Sequence, residues 1–232
     1  MNSLLRWSLT GASGACVLLA ILLIVVDLRA PWTRVRLALV VAASCTAAYA
    51  YAALGVYRSS TIEDYVSGTR VHITFAVTAY LALLWFLAVR TRALPRWSLW
   101  LATGASAAVI AWNLASPNTL IFADVLELQG VLLPWGEVTV QAVAIPSQWS
   151  HLVEALTFTF YGMSAYSLLS QSDDEQAMVL PVACSMAVLL ATMVVEASDP
   201  RVVPMLPADE LGLFALILVL PVATRSKGPT SR

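Results

Sequence analysis

Charged side chains are scarce: Asp, Glu, Lys and Arg make up only 12% of these 232 residues. A soluble domain carries about 25%, so a surface facing water on all sides is excluded. Lysine is nearly missing; its one occurrence, Lys227, lies beyond the last apolar run. A retinal protein needs a Schiff-base lysine inside its bundle, so a light-driven pump is excluded. A net charge of −1 supplies no field to draw nucleic acid. The three cysteines, Cys16, Cys45 and Cys184, sit singly in three different apolar runs and form no CxxC. That argues against a disulfide framework and leaves them as small apolar fillers. HExxH, GxSxG and the P-loop are also missing. No enzymatic activity is expected.

What the chain has instead is hydrophobicity: 59% apolar residues and a mean hydropathy of +0.79. A membrane span takes roughly 20 mostly apolar residues to cross about 30 Å of hydrocarbon. Seven such runs can be marked, at about 8–26, 37–56, 71–89, 97–115, 149–169, 178–195 and 211–224. The first resembles a signal peptide, but Asp27 and Arg29 close it without an A-x-A site and a second span follows. It is read as the first helix. Seven spans and their loops use nearly the whole chain, so residues 1–232 are expected to form one all-α membrane domain, a seven-helix bundle.

Basic residues orient the bundle. One side collects nine, including Arg34, Arg36, Arg90, Arg92 and Arg96; the other has only Arg6, Arg58, Arg70 and Arg201. The first side is therefore expected in the cytoplasm, with the N-terminus outside and the C-terminal tail 225–232 inside. The acidic loop Ser172-Asp173-Asp174-Glu175 counts little in this rule. The expected location is the inner membrane of a bacterial cell.

The longest connection, 116–148, then falls outside. Leu126-Glu127-Leu128-Gln129 and Val138-Thr139-Val140-Gln141 alternate apolar and polar around Pro134-Trp135-Gly136, which predicts a small β-hairpin over the outer mouth. It is either a functional structure or a lid sealing the helix ends. Ser60-Thr61-Ile62-Glu63 has capping-box form, so the third helix is expected to start near Thr61, with Glu63 and Arg70 on one face two turns apart. Gly11/Ala15 and Gly104/Ala108 have the small-xxx-small spacing that lets membrane helices approach closely.

The two histidines stand out under this topology. His72 lies near the outer end of span three and His151 near that of span five, with Glu154 one turn deeper on the same helix face. A carboxylate there is costly unless paired or hydrated. Four readings stay open. His72, His151 and Glu154 could bind a divalent metal such as zinc or copper. The histidines could be axial ligands of haem b, with Arg70 near a propionate. They could form a protonation switch. Or they are polar interface residues, which helix ends tolerate easily. Glu137, Glu196, Asp199, Asp209 and Glu210 rim the same mouth and favour a cation or amine ligand, or simply a solvated edge. Trp135, Trp149, Arg70, Glu137 and Glu196 are the candidate ligand-binding residues. A transporter usually shows paired broken helices; Pro181 and Pro221 could kink spans six and seven, but no repeat accompanies them.

The run 49–92, Asn113-Leu114-Ala115-Ser116-Pro117 and Leu133-Pro134-Trp135-Gly136-Glu137 together resemble the N-terminal seven-helix input region of bacterial sensor histidine kinases and diguanylate cyclases. The resemblance implies a membrane part that senses a signal for a cytoplasmic effector. This chain ends at Arg232 with no PAS, kinase or GGDEF segment. It is then either an excised input domain or a relative acting through a partner, with a homodimer as one arrangement. The leading expectation is a sensory module recognising a small ligand, metal or haem at its outer face. The alternatives are a haem-binding redox protein and a small-solute transporter.

Overall fold

The structure, a computed structural model, describes residues 4–27, 34–133 and 136–169. In chain order these are helices α1 (Leu4–Asp27), α2 (Arg34–Val56), α3 (Ile62–Thr91) and α4 (Arg96–Ala115), strands β1 (Phe122–Leu132) and β2 (Val138–Pro146), and helix α5 (Ser150–Leu169). The first four helices are each long and apolar enough to cross a membrane. Helix α5 is as long as α4 but carries Ser150, His151, Glu154, Thr157, Thr159, Ser164 and Ser167, and it is not among those four. Spans six and seven lie outside the described residues.

Helix α3 is the centre. It packs against α2, α4, α5 and β1, while α2 lies between α1 and α3. At 30 residues it is about 45 Å long, more than the hydrocarbon layer needs. Its start fits the sequence, with a one-residue change in register. Thr61, not Ser60, is the N-cap, and its Oγ1 accepts from Asp64 N at 3.1 Å. The helix ends where Arg92 turns left-handed at φ 56° and its N–H donates to Ala88 O.

The close helix contacts come from an alanine face that the small-xxx-small pattern missed. Ala42, Ala43, Ala47, Ala50 and Ala53 of α2 are all buried, and small side chains let backbones approach without a driving force from water. Ser13 Oγ of α1 donates to Ala47 O across this seam at 2.9 Å. Gly11 and Gly104, by contrast, face no other described residue within 4 Å of an added Cβ. Gly68 does serve close packing, because a Cβ there would meet Val56 Cγ2 at 3.1 Å.

The core then fills with Tyr80, Leu83, Leu84, Phe86 and Leu87 of α3, Leu99 and Ala102 of α4, and Phe160 and Tyr161 of α5. Within it the hydroxyls of Tyr80 and Tyr161 stand 3.0 Å apart, with the rings edge to face. Removing one hydroxyl of a buried pair costs about 1 kcal/mol. Tyr80→Phe and Tyr161→Phe should each show that loss in thermal unfolding, and the double variant should lose less than their sum. Strict additivity would mean the two hydroxyls do not interact.

The predicted hairpin is present. β1 and β2 pair antiparallel from Leu132↔Val138 to Phe122↔Pro146, with irregularities at Ala123 and Leu126. Its turn is closed by Leu133 N to Glu137 O at 2.7 Å and Gly136 N to Leu133 O at 2.8 Å, and Gly136 takes φ 83°, which suits a residue without Cβ.

Candidate functional site at the hairpin face

The hairpin is fastened to the ends of several helices. Leu133 is buried among Leu9 of α1 and Ala50 and Ala53 of α2. Val140 N donates to Tyr57 O, just past α2. The Tyr65 ring of α3 meets Phe122 at 6.2 Å, and its hydroxyl bonds the Ala142 main chain. Ser147 N donates to Ile121 O where β2 leads into α5.

Under the root of β1 lies a polar lock. Asn113 is fully buried at the end of α4. Its Nδ2 donates to Arg70 O at 2.9 Å and to Thr74 Oγ1 at 3.3 Å, and its Oδ1 accepts from Leu120 N at 3.2 Å. Thr119 stands at φ 77°, turning the chain so that Leu120 N–H points back to Asn113. Leu120 then packs on Ile73, Val77 and Val109. Arg70 Nη2 donates to Ser116 O at 2.7 Å and Pro117 O at 2.8 Å. A cation on the carbonyls just past the end of α4 also answers the negative end of the helix dipole. Arg70 is thus committed to α4, not to Glu63, which is exposed.

The histidines are engaged differently. The His72 ring lies 4.2 Å from that of buried Tyr49, tilted by 33°, and the imidazole bonds the Tyr49 main chain. It therefore faces α2. His151 is exposed in the first turn of α5. A bis-histidine haem needs both imidazoles directed at one iron; His72 is turned to α2, whereas α5 meets α3 through Ile73 and Val77. Among the described residues no group of three or more His, Cys, Asp or Glu could hold a metal ion. The described residues thus do not bring His72 and His151 together, and the Glu154 side chain lies outside them.

Of the other expected ligand residues, Trp149 packs against Trp112 at 4.9 Å. Both line an apolar groove of about 710 Å³ between α4 and α5 that reaches Pro95 and Trp97 at its far end. Glu137 is half-buried in the hairpin turn, where its carbonyl closes the loop. Trp135, Glu196, Asp199, Asp209, Glu210 and the side chain of Glu154 lie outside the described residues. Sequence reasoning missed Asn113 as the hub. The available signal was an amide near the end of an apolar span, which must find partners there.

Helices of this length and composition under a β-hairpin define the class: an integral membrane protein with a structured cap on one end of its bundle. Compared with known proteins, the chain matches no family and no curated protein.

Proposed function

We propose that the chain is a sensory input module of the bacterial inner membrane, a seven-helix bundle with its N-terminus outside, its C-terminus in the cytoplasm and no catalytic step of its own. The hairpin face receives a small ligand, and the helices pass its effect to a cytoplasmic effector. One observation carries the reading: the hairpin is latched to the helix ends at Leu133, Val140, Tyr65 and the Asn113–Leu120 bond. A ligand that moves the hairpin must disturb the packing of α1, α2, α3 and α4 together. Such a concerted shift between discrete packings is what a transmembrane signal requires. The likeness to kinase and cyclase input regions points the same way.

Leu133→Ser tests the coupling, because it unseats the hairpin without touching the distant helix ends. Hydrogen exchange in the purified full chain should quicken around residues 122–146 and also at 88–98, where α3 gives way to α4. Exchange that changes only in the hairpin would make it a passive lid and remove the basis of the sensory reading.

A further inference from the structure

The turn joining α2 to α3 leaves a second cavity, of about 440 Å³, lined among others by Tyr51, Leu54, Arg58, Ser60, Asp64 and Gly68. It is polar at the top and apolar below. Arg58, Ser60 and Asp64 are exposed at the level of the turn. Tyr51, five residues before the end of α2, is 71% exposed and points away from the protein core. On a membrane-crossing helix that position faces the lipid near the interface, where tyrosine is favoured. Gly68 lets α3 close on Val56, which brings Asp64 one turn earlier to the same cleft as Arg58. Among the described residues no ion pair joins Arg58 to Asp64 or to any other group. The cleft therefore offers one cation and one anion in a single lining, not paired with each other among the described residues, above an apolar wall.

We propose that this cleft holds the headgroup of a zwitterionic phospholipid from the leaflet on the hairpin side. The phosphate lies against the Arg58 guanidinium and the Ser60 hydroxyl. The ammonium lies against the Asp64 carboxylate. The chains descend past Leu54 and Tyr51. An anionic lipid without an ammonium group would satisfy Arg58 but set its charge beside Asp64, and like charges in contact are disfavoured. The cavity volume lies within the range that encloses small ligands, about 300–1,000 Å³. The site stands independently of any signalling role, since it rests only on the α2–α3 turn.

The full chain in nanodiscs of equal parts phosphatidylethanolamine and phosphatidylglycerol provides the test, with retained lipid counted by native mass spectrometry. Exposed charge pairs support a preference for phosphatidylethanolamine of about threefold to fivefold. Asp64→Asn should abolish the preference, because the ammonium loses its partner. Arg58→Gln should lower retention of both lipids, because the phosphate loses its own. Both variants should melt at the wild-type temperature, as both side chains are exposed and the helix is capped by Thr61. Equal retention of the two lipids by the wild type would overturn the proposal, as would a preference that survives Asp64→Asn. Free phosphoethanolamine at millimolar concentration should compete with the lipid. Phosphoethanolamine that binds lipid-free protein more tightly than phosphatidylethanolamine does would assign the cleft to a soluble zwitterion and overturn the lipid assignment.

Discussion

Asn113→Ala is expected to lower stability by about 2–4 kcal/mol, which for a chain of this size corresponds to a fall in melting temperature of roughly 5–15 °C. The side chain makes three hydrogen bonds while fully buried, and its partners cannot all be re-satisfied. Arg70 O keeps a second donor in Thr74 Oγ1 at 2.8 Å, so that loss is small. Leu120 N–H is the costly one, because a buried main-chain donor left without an acceptor bears its whole desolvation penalty. Membrane interiors temper such losses, with polar contacts between helices averaging about 0.6 kcal/mol. That average applies to side chains that find other partners in the unfolded membrane state, not to a main-chain donor fixed inside a loop. Asn113→Leu should fare no better than alanine, since volume is not what is lost. Asn113→Asp should be worse than either, because it keeps the acceptor but buries a charge. Thermal unfolding in one detergent orders the three variants. A melting point within 1 °C of wild type for Asn113→Ala would mean the lock does not hold the fold.

Arg70→Met should cost about 2–3 kcal/mol, since bonds from a charged donor are worth more than neutral ones. Methionine retains the aliphatic stem and removes the head that bonds Ser116 O and Pro117 O. Two carbonyls at the end of α4 would then lose their donor, and the helix dipole its counter-charge. Arg70→Lys should recover less than half, because an ammonium is a point charge without the planar fork. The effect should be local as well as global: limited proteolysis should cut the 116–122 segment faster in Arg70→Met than in wild type. The experiment also separates two roles. An arginine reserved for a ligand leaves the ligand-free protein as stable as before when it is replaced. One that clamps α4 does not.

Sequence reasoning went far on elements and less far on the site. The ends of α2, α4 and α5 fall within a few residues of the marked spans, because lipid exposure demands a continuous apolar run that is visible locally. The hairpin was equally legible: its alternation and its glycine at φ 83° are local requirements. Helix α3 starts nine residues before the marked third span because its first turns, through Glu63, Asp64 and Ser67, are polar. Hydropathy stops where the lipid does, while the backbone continues. The histidines show the opposite limit. Their shared depth suggested a pair, yet one step around a helix is about 100°, and that angle sends His72 to Tyr49 on α2.

The amino-acid sequence by itself determined the solvent, four helices long and apolar enough to cross it, and the presence of a hairpin between the fourth and fifth helices, because each depends on residues adjacent in the chain. Only the tertiary structure decided which faces meet. It placed the alanine face of α2 between α1 and α3, joined Asn113 to Arg70 across 43 residues, and set Arg70 Nη2 on the carbonyls of Ser116 and Pro117. Those contacts depend on helix rotation and on the reach of single side chains, and in a chain where nearly every helix face is apolar, hydrophobic periodicity does not single out one rotation from the rest.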